Sequence, residues 1–149
     1  MKCSLLLLLL VTGCSSCGEG SGGTTAPLPT ATEAPVTPPP DFAGRESVVP
    51  EDAATVAQGR ALFLANCATC HGPNADGRGP ASAGISPPPA NFLDGVRLSS
   101  HDDAYLFWRI TTGKKGTAMP AFGSTLSEQE RWTLLRYLRS LPNARRSGS

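Results

Sequence analysis

Cys67-Ala68-Thr69-Cys70-His71 places two thiols and an imidazole within one short stretch of "CATCHGPNADG". Three chemistries use such a group: a thiol–disulfide couple, a thiolate metal site, and covalent attachment of haem. A redox pair of this spacing expects a βαβ setting, which the sequence lacks. A zinc site needs four ligands, and no second Cys/His pair follows. The histidine directly after the second cysteine decides the matter, because C-x-x-C-H reads as c-type haem attachment. Two thiols must reach two vinyl groups on one porphyrin edge while the next residue brings its imidazole under the iron. Cys67 and Cys70 are thus the expected covalent links, and His71 is the expected axial ligand.

Such an iron has one axial position left, for which nitrogen and thioether ligands are the usual choices in electron transfer. Once the first residues are set aside as a signal, the chain offers one other histidine, His101, and one methionine, Met119. His101 lies in "LSSHDDAYLFWRITTG". Ser100 reads there as an N-cap with Asp103 three residues on, which puts His101 at an exposed first helical position. Leu106, Phe107 and Ile110 continue that helix, and Gly113 is placed to end it. Met119 lies in "GTAMPAFG", a loop in which Pro120 fixes the backbone and Phe122 adds an apolar wall. A lone loop methionine is usually a gap filler, but here a ligand is wanted, and Met119 is the expected one.

The elements that must position these residues occupy only part of the chain of 149 residues. After Lys2, the uncharged run from Leu5 to Val11 is too short to span a bilayer and fits a secretory signal. Val11-Thr12-Gly13-Cys14 resembles the lipobox of bacterial lipoproteins, so residues 1–13 are expected as a signal and Cys14 as the lipidated first residue of the mature protein. Two or more acyl chains anchor stably where one is marginal. Residues 14–50 hold seven prolines among threonine, glycine and alanine, a composition expected of a solvated tether rather than a core. Cys14-Ser15-Ser16-Cys17 repeats the C-x-x-C spacing, but Gly18 stands where the histidine would have to be, and Cys17 is left without a role. The folded domain is expected at residues 51–141, with 142–149 as a loose tail. From Glu51 onward, eleven Lys/Arg face eight Asp/Glu, and no basic stripe of a nucleic-acid binder stands out.

With these residues in view, the sequence resembles a class I cytochrome c in its bacterial single-haem form, over Asp52 to Leu141. The resemblance rests on CATCH, on "AMPAF" at Ala118–Phe122, and on the closing "ERWTLLRYLRSL". It implies an all-α fold of three to five helices around one covalent haem c. It also implies that the pair Gly59 and Phe63 on the first helix crosses the pair Leu134 and Tyr137 on the last. Gly79-Pro80 resembles the family's Gly-Pro, whose proline carbonyl accepts the Nδ1–H of the ligating histidine, so Pro80 is expected beside His71. On the last helix, Ser127 and Glu130 form a capping box, and Leu134, Tyr137, Leu138 and Leu141 share one face. Arg136 and Arg139 are expected to face away from the core. Trp132 falls off the apolar stripe, and is expected against a loop or a partner.

The expected function is one-electron transfer by a carrier held to an extracytoplasmic membrane face (periplasmic in a Gram-negative cell) through Cys14, with redox proteins as partners and no enzymatic activity of its own. The alternative is a fixed haem subunit of a larger oxidoreductase or quinol-oxidising complex. A haem enzyme would need an open sixth position, against which Met119 argues, and a ligand sensor would need a labile methionine bond.

Overall fold

The computed structural model describes residues 36–144. The expected signal, Cys14 with its lipid, Cys17, the first part of the expected tether, and Arg145 and Arg146 all lie outside them. Five helices and no strand occur among the described residues: α1 (Ala53–Asn66), α2 (Ala68–His71), α3 (Val96–Ser99), α4 (Asp103–Thr112) and α5 (Glu128–Ala144).

Helix α1 starts where the Asp52 carboxylate accepts from the Thr55 N–H at 2.7 Å. Helix α5 starts with the expected capping box. Ser127 Oγ accepts from the Glu130 N–H at 3.2 Å, while the Glu130 carboxylate accepts from the Ser127 N–H at 2.8 Å, and two orphan donors are satisfied at once. The two helices cross at Gly59. A Cβ there would stand 2.3 Å from the Thr133 carbonyl oxygen and 2.8 Å from Tyr137 Cβ, so glycine is what permits the approach. Phe63, 1 % exposed, meets Tyr137 with ring centroids 5.4 Å apart. Burying a side chain of this size stabilises by about 1.5–3 kcal/mol.

Helix α4 begins two residues later than the sequence suggests. Asp102 is the N-cap, accepting from the Tyr105 N–H at 2.7 Å. Ser100 instead ends α3, its hydroxyl turned back to the Val96 carbonyl. His101 therefore precedes the helix, stacked on Tyr105 at 3.9 Å and 17°. A carboxylate accepts from a helix N-terminus more strongly than a hydroxyl does.

Two expectations for α5 give way to long-range partners. Arg136 and Arg139 are only partly exposed. Arg139 donates to the Asp103 carboxylate at 2.7 Å and to the His101 carbonyl at 2.8 Å, and Arg136 pairs with Glu51 and Asp103. Trp132 is 1 % exposed and lies face to face with Phe107 of α4, 4.0 Å between centroids at 12°. It belongs to the core, because α4 supplies a second apolar surface beside the stripe that meets α1. Stacked pairs of this kind contribute about 0.5–1.5 kcal/mol beyond burial.

Packing also begins before residue 51. Phe42 approaches Phe107 at 6.3 Å, Arg45 reaches Glu128 at 3.1 Å, and Val49 is buried. The segment from Pro39 to Pro50, read from its composition as tether, forms a strap across α4 and α5.

Candidate haem site

Helix α2 is one turn long, and its function follows from that brevity. Cys67 is its N-cap, and the N–H groups of Cys70 and His71 both bond the Cys67 carbonyl, at 3.1 and 2.8 Å. Cys67, Cys70 and His71 thus sit on one turn at i, i+3 and i+4, spacings that share a helix face. The next segment returns to close the turn: Gly77, Gly79 and Ala81 donate to the carbonyls of His71, Cys70 and Thr69 at 2.8, 3.1 and 2.9 Å. The carbonyls that a helix end leaves orphaned are thereby satisfied by backbone.

His71 is held by the loop 89–92. Its Nδ1 lies 3.1 Å from the Ala90 carbonyl oxygen, and because a carbonyl can only accept, Nδ1 carries the proton. Nε2 keeps its lone pair for a metal. Burial lowers the pKa of the imidazole, and the Ala90 bond only partly offsets this, a direction that favours the neutral form that ligates. The expected partner, Pro80, does not serve: its backbone belongs to the exposed turn that closes α2, after the buried Gly79. The acceptor comes instead from Ala90, nineteen residues on.

Phe92 stacks on the imidazole at 4.9 Å and 25°, and its N–H bonds the Ala75 carbonyl at 2.9 Å. Ala75 is fully buried at φ 62°, an unusual conformation for a residue with a Cβ. A Cβ on Gly77 (φ +79°) would stand 2.8 Å from the Pro89 carbonyl oxygen. The 72–77 turn and the 89–92 loop are thus fastened together behind His71. The segment "SPPPANF" at Ser86–Phe92 supplies both the Ala90 carbonyl and the Phe92 ring that restrain the imidazole.

Met119 sits on a separate loop, half-buried. Its N–H bonds Thr117 Oγ1 at 3.2 Å, and its carbonyl accepts from the Lys114 N–H at 3.3 Å. The loop base is pinned to α4 by Phe122 N–H to the Ile110 carbonyl and Gly123 N–H to the Thr111 carbonyl, at 3.1 and 3.0 Å. Arg131 ties it to α5, donating to the carbonyls of Gly123 and Leu126 at 2.9 and 2.8 Å. A sequence reading offers no hint of Arg131, whose hydrogen-bond partners are both backbone carbonyls. His101 is drawn elsewhere, its ring on Tyr105 and its carbonyl to Arg139. Desolvation, then Arg97, Arg109 and Lys114, lower its pKa against Asp102.

The donor set fits a covalent haem better than its rivals. Cys67 and Cys70 are not joined to each other in a disulfide. Burial, reinforced by Cys70, pushes Cys67 up to about 12, whereas redox-active and metal-ligating cysteines need an accessible thiolate. A neutral thioether suits such a site. Among the described residues no cluster of His, Cys, Asp and Glu could hold a bare metal ion, and no helix is long and apolar enough to cross a membrane.

Comparison with known proteins agrees with this geometry. The family described as "Cytochrome C oxidase, cbb3-type, subunit III" matches residues 54–138. The Cbb3-type cytochrome c oxidase subunit FixP of Azorhizobium caulinodans is 38 % identical over 92 residues, covering 62 % of this chain and 29 % of that protein. Subunit CcoP of Azospirillum brasilense is 34 % identical over 90 residues, covering 60 % and 30 %. The chain thus matches under a third of the length of these curated relatives. Among solved structures, a chain of the Kuenenia stuttgartiensis reducing HAO-like protein complex Kustc0457/Kustc0458 superposes with a TM-score of 0.57 at 30 % identity, over 62 % of this chain and 46 % of that one.

Proposed function

Because the chain belongs to the cbb3-type cytochrome c oxidase subunit III family and is a class I c-type cytochrome, we propose that it carries one covalent haem c and passes single electrons between redox proteins. The observation that carries this reading is the CATCH turn with its imidazole already oriented, Nδ1 committed to Ala90 and Nε2 left for iron. When bound, the haem supplies an iron that gains and loses one electron. Cys67 and Cys70 would hold it through thioethers, with His71 and Met119 as axial ligands. With His71 and Met119 both holding the iron, no open site would remain for a substrate, which separates the reading from a haem peroxidase. C-x-x-C-H occurs once in this sequence, which supports a single haem here.

Two forms of that role are distinct. In one, a lipid at Cys14 holds the domain to an extracytoplasmic membrane face as a carrier. In the other, the domain is a fixed subunit of a larger oxidoreductase, and the relatives, which are oxidase subunits, favour this form. Mild detergent extraction followed by sizing separates them: co-elution with other redox subunits supports the second form, and release of the chain alone supports the first. Replacing Cys14 with Ala should end incorporation of labelled fatty acid.

The attachment itself is tested with protein made in a strain that matures c-type cytochromes. Denatured protein should keep its haem, and the double substitution Cys67→Ala with Cys70→Ala should lose it. Haem extracted intact from the unmutated protein by acidic organic solvent would overturn the reading.

A further inference from the structure

We propose that Phe92 is a positioning residue for the axial histidine: its ring, stacked on the His71 imidazole, fixes the rotation of that imidazole about its bond to the iron. The inference rests on the covalent-haem reading and adds to it a control on the magnetic and redox character of the centre.

Two restraints act on the imidazole, and they are not equivalent. The Nδ1–Ala90 hydrogen bond sets the tautomer and anchors one edge, but a single hydrogen bond leaves the ring free to rock about the donor–acceptor line. A flat face 4.9 Å away at 25° opposes that rocking. Phe63 also approaches the ring, at 6.5 Å and 53°, but this tilted contact belongs to a side chain committed to Tyr137 and the α1–α5 crossing. Phe92 is different in kind. It packs half-buried at the edge of the core, and its backbone is fastened to Ala75. The Ala90 carbonyl and the Phe92 ring sit two residues apart on one anchored loop, so orientation and hydrogen bond are set together. Groups around a ligating histidine tune the metal as well as the ring.

The test uses ferric holoprotein. Phe92→Leu and Phe92→Met remove the flat face while keeping apolar bulk; Phe92→Tyr keeps the face. In the first two, the hyperfine shifts of the haem methyl protons should redistribute and the reduction potential should move, with covalent haem and the sulfur-to-iron near-infrared band retained. Phe92→Tyr should leave both readouts at the unmutated values. Unchanged methyl shifts and potential in Phe92→Leu and Phe92→Met, with only a lowered Tm, would make Phe92 a packing residue and overturn the proposal. Loss of the haem from unmutated protein on denaturation would overturn the proposal together with the attachment reading, and is told apart by that control.

Discussion

The two expected axial ligands are held by different means. His71 is restrained at its side chain: a hydrogen bond at Nδ1 and a ring against its face. Met119 is restrained through its backbone, by Thr117, Lys114 and a loop base stitched to α4 and α5. A thioether offers nothing to hydrogen-bond strongly, so only the chain around it can be fixed. An imidazole has a second nitrogen, and the fold uses it. The histidine side is therefore fixed by contacts to the ring itself, while the methionine side supplies a sulfur on a short, well-anchored leash.

The largest effect should come from changing the chemistry on the leash. Met119→His replaces a soft neutral ligand that favours ferrous iron, so the reduction potential should fall and the near-infrared band should vanish. The ferrous protein should resist carbon monoxide until Met119 is removed. His101→Ala should change none of these, since His101 is stacked on Tyr105 and bonded to Arg139. Loss of the band in His101→Ala would dissolve the contrast between the two sides.

A smaller and more telling pair moves the backbone on each side in turn. At Gly113 (φ +72°) a Cβ would lie 2.6 Å from the Met119 carbonyl oxygen, and at Gly77 2.8 Å from that of Pro89. Overpacking of this kind costs about 1–3 kcal/mol, so both alanine variants should melt at lower temperature. They should differ in spectrum. Gly113→Ala should speed carbon monoxide binding by loosening the sulfur, and Gly77→Ala should alter the haem methyl shifts with the sulfur band intact. Identical spectra from the two would mean that the sides are not separately held.

The smallest effect lies away from the site, at the α5 capping box. Bonds from the Ser127 hydroxyl and N–H hold Glu130 below its ordinary value of 4.5. A carboxyl depressed in the folded state stabilises above its unfolded pKa, and that contribution is lost as pH falls through the folded one. Glu130→Gln should flatten the acid limb of a stability titration and leave the haem spectrum untouched.

How much of this was legible in advance depends on the range of each signal. C-x-x-C-H and the S-x-x-E capping box are local patterns legible in the residues themselves, and the Gly59/Phe63 spacing was legible through the family resemblance. The Nδ1 acceptor could not: Ala90 contributes only a carbonyl, and a backbone atom leaves no mark in the residue type. Pro80 was the nearer candidate by resemblance, and the return of the loop decides against it. Trp132, Arg131 and Arg139 escaped for a related reason, since their surroundings are created by α4 and by loop carbonyls distant in sequence. The strap was hidden by its own composition, because proline and glycine dilute the few apolar anchors that dock it.

That strap has a mechanical consequence. Val49 is buried in the core, Phe42 packs half-buried against it, and Arg45 is paired with Glu128, so tension entering from the N-terminal direction would be taken up at α4 and α5 first. Only after the strap peels away would strain reach Asp52 and the start of α1, whose far end carries the turn with Cys67 and His71. The strap is a strain relief, of the kind that keeps a tug on a cable from reaching its contacts.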